Sequence, residues 1–142
     1  MRSQLKRERE GWESNTCIDA MARRTSDEGR GCGGINSNER VKEECDSWNN
    51  MGKRANRGMS YSYLHDARQD TARAYGAERT PEFYLIDSSG SVVYRGRLDD
   101  SPRDPSHTTS SDLSDAMDDL AAGRGVAVPR TTSIGCSVKW KL

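Results

Sequence analysis

One proline constrains this chain more than any other residue. Residues 75–87 read YGAERTPEFYLID, and Pro81 stands at the head of an apolar run that reads as a β-strand. Proline has no backbone N–H and a fixed φ, so within a sheet it is confined to a first strand position, an edge or a bulge. An X-Pro bond also admits the cis form at a cost of about 0.5–1 kcal/mol. Gly76 ends a helix just before this step. Asp87-Ser88-Ser89-Gly90 just after it turns the chain back into a second strand, Val92–Tyr94. Helix, Thr-Pro step, strand, tight turn and strand together predict an α/β chain with an antiparallel hairpin.

The rest of the chain fits that reading. Residues 1–13 are charged and aperiodic and read as an N-terminal arm. Cys17, Ile18, Met21, Ala22 and Thr25 share one helical face, with Ser14 or Asn15 able to cap its start and Gly29 its end. GCGGINSN at 31–38 reads as a glycine-heavy strand and a polar loop. A second helix is expected from Asp46 or Ser47 to Arg57, with Trp48, Met51 and Ala55 inward and Gly58 as its stop. Tyr61–Leu64 reads as a strand. Asp66 is placed to cap a helix over 67–75, with Gln69 at the capping-box position. After a Pro/Asp/Ser loop at 99–108, Leu113, Ala116, Met117, Leu120 and Ala121 recur at helical spacing behind a Thr109…Asp112 capping box. The order predicts an α/β sandwich with a mixed sheet and flanking helices. The domain spans 14–123, and residues 124–142 form a C-terminal tail docking on it.

Composition narrows the function classes. Hydrophobic residues make up 32%, there is a single Phe, and mean hydropathy is −0.95. Basic and acidic residues balance at 22 each, which gives no reason to expect nucleic-acid binding. No apolar run approaches a membrane span and no secretory leader is visible, so a cytoplasmic protein without a membrane partner is expected. Four cysteines (Cys17, Cys32, Cys45, Cys136) and two histidines match no metal-ligand spacing, and neither metal nor cofactor is expected.

Several motifs occur in order: INSN at 35–38, SWNNMGKRANRG at 47–58, YLHD at 63–66, TARAYGAERTPEFYLID at 71–87, YRGRLDD at 94–100 and SIGCSVKWK at 133–141. Over roughly residues 31–142 the chain resembles thioredoxin-like redoxins of the alkyl hydroperoxide reductase/thiol-specific antioxidant (peroxiredoxin-like) type. The resemblance implies a thioredoxin-like fold and thiol–disulfide exchange or peroxide reduction. A thiol/disulfide protein or a small peroxide would be the partner. It also makes Thr80 and Pro81 the substrate-facing loop. The family pattern places a strand and a Cys-x-x-Cys segment ahead of the first helix, and this chain contains no such motif. The nucleophile therefore has no match, and no catalytic residue is assigned. The expected protein is an inactive or truncated relative lacking the first strand, or a binding module that keeps the proline-loop surface. An open sheet edge beside GCGGIN would favour self-association.

Among the thiols, Cys45 and Cys136 are the candidate redox residues. Cys45 precedes a helix start, which favours a thiolate, but Glu43, Glu44 and Asp46 oppose it. Cys136 lies in a tail where Ile134, Val138 and Trp140 alternate, as a docked edge strand or as a resolving cysteine. Cys17 and Cys32 read as core residues. Arg79, Arg95 and Arg97 read as exposed arginines on strand ends, with stabilisation of a thiolate or peroxide anion near the proline loop as the alternative. His65 and His107 read as solvated.

Overall fold

The computed structural model of the chain describes residues 18–39, 48–56 and 58–142. They fall into two compact units. One comprises the residues up to Gly76 together with Val138–Leu142, and the other is Ala77–Ser137. Expectations for the N-terminal arm, the absent first strand, Cys17 and Cys45 fall on residues outside those described.

In the first unit, helix α1 covers residues 18–27. Ala22 and Thr25 are buried on its inner face. Its end is closed at Gly29, φ 74°, where the Arg30 amide donates to the Thr25 carbonyl at 2.8 Å. Strand β1 (Gly33–Asn36) pairs in parallel with β2 (Ser62–His65), with Ile35 opposite Leu64. Between them runs α2 (Trp48–Ala55), which buries Met51 and ends before Gly58, φ 92°. Ala55, expected inward, is exposed. Cys32, expected in the core, precedes β1 by one residue and is exposed. Its thiol is nonetheless pushed up by partial desolvation.

The helix after Asp66 departs from the expected capping box. Helix α3 (Asp70–Ala74) starts later than expected, and Gln69 is its N-cap in the left-handed region, φ 62°. Asp66 still serves the helix, its carboxylate accepting from the Ala72 amide at 3.0 Å and the Ser37 hydroxyl at 2.9 Å. Gln69 turns inward instead and is 1% exposed. Its amide nitrogen donates to the carbonyls of Ser37 (2.6 Å) and Lys139 (2.8 Å), and its oxygen accepts from the Lys141 amide (2.8 Å). Asn38 completes the stitch by accepting from the Lys139 amide at 2.9 Å. Arg73 lies over the Trp140 ring, 4.7 Å from its centroid. Residues 138–142 are thus held by a buried amide network as well as by the buried Val138 side chain.

In the second unit, β3 (Arg79–Thr80) pairs antiparallel with β6 (Cys136–Ser137), and β4 (Phe83–Ile86) pairs antiparallel with β5 (Val92–Gly96). The parallel β1–β2 pair and these antiparallel pairs give the expected mixed α/β character, with three two-stranded sheets among the described residues. Asp87 closes the β4–β5 turn by accepting from the amides of Ser89 (2.9 Å) and Ser91 (3.0 Å). Helix α4 (Asp112–Ala121) packs on β4 and β5 through Leu113, Ala116 and Met117. Ala121, expected on the same face, is exposed.

The Thr109…Asp112 box does not form. Ser111 is the N-cap and makes no side-chain cap bond. Thr109 is recruited by Asp100, whose carboxylate accepts from the Thr109 hydroxyl and from the amides of Thr109 (2.9 Å) and Ser110 (3.1 Å). His107, expected without a partner, sits 2.7 Å from the Asp104 carboxylate.

Two expectations follow. Gln69→Ala keeps a non-glycine residue at the same φ, so its effect reads the amide bonds. Leaving buried carbonyls unsatisfied should cost about 2–4 kcal/mol in urea unfolding, and the amides of residues 139–141 should lose exchange protection. The second expectation concerns acid. Hydrogen bonding from Thr109 holds the Asp100 carboxyl at about 2, against 3.8 for the free group. A depressed folded pKa contributes stability above the unfolded value, and that contribution is lost as pH falls from 3.8 towards 2. Protection of the Thr109 and Ser110 amides should fade across that window, and Asp100→Asn should remove this pH dependence.

Candidate functional site

The Thr-Pro step lies where two short strands meet. Thr80 ends β3, the Thr80–Pro81 peptide is cis, and β4 begins at Phe83. Directly across the β3–β6 ladder, Thr80 is the register partner of Cys136. Opposed residues of an antiparallel pair project their side chains from the same face, with Cβ atoms about 4.5–5.5 Å apart. The Cys136 thiol is exposed. Of the expected site residues, Thr80, Pro81 and Cys136 are therefore brought together, and Cys45 lies outside the described residues.

Gly135 makes this approach achievable, and the sequence reading passed over it. A Cβ at Gly135 would collide with the Thr80 carbonyl and lie 3.2 Å from Pro81 Cδ. The Arg79 guanidinium also donates to the Gly135 carbonyl, Nη1 to O 3.1 Å. The local signal was the Gly-Cys pair itself, a glycine where an edge strand has no need of one.

The arginines divide by partner. Arg95 Nε binds Glu82 Oε1 at 2.8 Å, and its Nη2 lies 3.9 Å from Glu78. Arg97 Nε binds Asp112 Oδ2 at 2.7 Å. Burial alone would raise the Glu82 carboxyl, but the hydrogen bond from Arg95, the Glu78 amide, the Ser133 hydroxyl and the Arg95 charge together outweigh it and hold the group below the usual carboxylate range. Tyr84, whose ring lies 5.6 Å from the Arg95 guanidinium, is pushed up to about 12 by desolvation and by the Glu82 charge. The charges of Arg95 and Arg97 are thus committed within the fold, and neither is left over for a thiolate. These two residues, with Glu78, Glu82, Arg79, Arg130 and the segment 131–133, line an open cleft of about 500 Å³.

No cluster of His, Cys, Asp and Glu among the described residues is arranged to hold a metal ion, and no helix among them is long and apolar enough to cross a membrane. Gly135→Ala should force β6 away from Thr80. The expected cost is about 1–3 kcal/mol, as for other overpacked sites. Amide exchange at Cys136 should accelerate, while α4 keeps its protection.

A family model described as Redoxin matches residues 30–120. An uncharacterized conserved protein from Geobacillus kaustophilus is similar in structure, with a TM-score of 0.79 and 40% identity over 87% of this chain and 67% of that one. A hypothetical protein from Sinorhizobium meliloti 1021 is similar too, with a TM-score of 0.77 and 33% identity over 87% of this chain and 70% of that one. No curated protein matches. With the family model spanning most of the chain, and the Thr-Pro step, hairpin and final helix in the expected order, the chain belongs to the Redoxin family and has a thioredoxin-like fold.

Proposed function

We propose that this chain takes part in thiol–disulfide exchange as a single-thiol redoxin, with Cys136 as the reacting group and the Thr80–Pro81 loop as the surface its partner lies against. The observation that carries this reading is the Thr80–Cys136 register, which sets an exposed thiol across from the proline loop. The Cys136 thiolate attacks one sulfur of a partner disulfide. That S–S bond breaks, a mixed disulfide forms, and the departing sulfur leaves as a thiolate that takes up a proton. Cys136 is the only cysteine in residues 77–137. A second thiol from outside this unit must therefore attack the mixed disulfide, releasing the partner as a new disulfide and restoring Cys136.

The test uses the full chain with bis(2-hydroxyethyl) disulfide, a small neutral reagent, followed by peptide mass mapping. Cys136 should acquire the adduct several-fold faster than Cys32, whose thiol is pushed up by desolvation and holds less thiolate at neutral pH. Insulin reduction should stay at background. Modification of Cys136 that lags behind Cys32 would overturn the reading and leave the loop as a binding surface alone. Robust insulin turnover lost on Cys45→Ser or Cys136→Ser would overturn the single-thiol mechanism in favour of a non-adjacent pair.

A further inference from the structure

We infer that the arginine-lined cleft of the second unit recognises the carboxylates of a small acidic thiol or disulfide. This deepens the exchange reading above and rests on it. It assigns the external thiol a chemical class, a low-molecular-weight thiol carrying free carboxylate groups.

The charge balance of the cleft carries the argument. Four guanidinium groups line it (Arg79, Arg95, Arg97 and Arg130) against two carboxylates, Glu78 and Glu82. Glu82, its side chain 6% exposed, is taken up by Arg95, and Asp112 takes up Arg97. Glu78 is mostly exposed and reaches Arg95 only at 3.9 Å. Two cations then have no carboxylate partner among the described residues. Arg79 spends one N–H on the Gly135 carbonyl, and a guanidinium has five. Arg130 is held by its backbone beside Arg95 in a parallel bridge and presents an exposed side chain. Planar guanidinium forks match carboxylates in a bidentate fashion. The volume, about 500 Å³, lies within the roughly 300–1,000 Å³ of small-molecule sites.

The position of the cleft ties this charge to the thiol. Arg79 adjoins Thr80 in β3, and its guanidinium is anchored on the residue preceding Cys136. Segment 131–133 leads within three residues to the same cysteine. A disulfide with carboxylates on its arms can engage the cations from the chain that delivers its sulfur to Cys136. A neutral disulfide gains nothing from them.

The experiment compares two disulfides on the full chain at pH 7.5. Oxidised glutathione carries carboxylates on both halves, and bis(2-hydroxyethyl) disulfide carries none. Each rate of adduct formation at Cys136 is divided by the rate for the same reagent on the urea-unfolded chain. The acidic reagent should be favoured about fivefold or more at low salt, as exposed ion pairs contribute individually little but add. That preference should collapse in 0.5 M NaCl, where the Debye length is short. Arg130→Gln should lower the preference, and Glu78→Gln, which removes a repelling carboxylate, should raise it. No preference at low salt, or a preference indifferent to both substitutions, would overturn the inference.

A second arm separates its failure from that of the exchange reading. S-methylglutathione has the carboxylates and no reactive sulfur, and its binding to Cys136→Ser is read by calorimetry. Salt-sensitive heat weakened by Arg130→Gln supports the cleft even if Cys136 proves inert. Absence of any heat, with Cys136 reactive towards the neutral disulfide, overturns the cleft and leaves the exchange reading standing.

Discussion

The second unit is organised around one missing side chain. At Gly96 a Cβ would run into Thr131, striking both its hydroxyl and its backbone. With only hydrogens there, residues 129–131 lie along β5. The Arg95 amide donates to the Pro129 carbonyl and the Thr131 amide to the Arg95 carbonyl, each at 3.0 Å. The Thr131 hydroxyl then accepts from the Arg97 amide at 3.0 Å and meets the Tyr94 hydroxyl at 2.7 Å. Tyr94, fully buried, donates onward to the Arg97 carbonyl at 2.6 Å. A buried phenol must find partners or lose about 1–3 kcal/mol, and this knot gives it two. Everything downstream in the unit follows from this anchoring. It sets where Arg130 emerges, where segment 131–133 forms a cleft wall, and how Gly135 reaches Thr80.

The same segment explains why the charges are arranged in pairs rather than pooled. Arg95 in β5 and Arg97 just past its end flank Gly96, and each has its own acid, one from the proline-loop side and one from α4. Glu82 follows Pro81 directly, so the bond to Arg95 fixes the residue next to the Thr-Pro step as well as a charge. Asp112 opens α4 and docks that helix end on Arg97, the residue after β5. A carboxylate in the first turn of a helix is favoured by the helix dipole, and here the guanidinium adds to that preference. These pairs have structural work to do, which is why anion recognition falls to Arg79 and Arg130 instead.

Much of this was legible in the sequence where a local rule acts alone. The β4–β5 hairpin follows from two short apolar runs around a Ser-Gly turn, and α4 from its periodic Leu113, Ala116 and Met117. What escaped were contacts between residues far apart in the chain. The Thr109…Asp112 spacing fits a capping box on paper, yet α4 begins two residues later with Ser111 as its N-cap, and Asp100 binds the Thr109 hydroxyl and amide ahead of the helix. Gln69 fits a capping box by spacing, and no local pattern shows that the 138–142 tail would draw it inward. Cys32 looked like a core residue because free cysteines commonly are, but β1 begins one residue later and leaves it outside. Thr80 and Pro81 were legible through the Thr-Pro step. Their pairing with Cys136 was not, since it depends on Gly135 and on the anchoring at Gly96.

These long-range polar contacts also answer how so polar a chain holds together. The buried apolar side chains among the described residues include three alanines, and Tyr94 supplies the largest. At about 25 cal/mol per Å² such small side chains contribute modestly. Alongside them are buried Thr25, Asn36, Asn38, Gln69 and Ser133. Asn36 accepts from the Asn38 amide at 3.1 Å, and Asn38 and Gln69 bind the tail directly. A buried amide network of this kind adds little net stability per bond, but breaking one member leaves several groups unsatisfied at once. It therefore selects a single arrangement of the chain more sharply than the same area of aliphatic contact would. In a protein with few large apolar residues, that selectivity holds residues 138–142 of the first unit to Asn38 and Gln69 in a single arrangement.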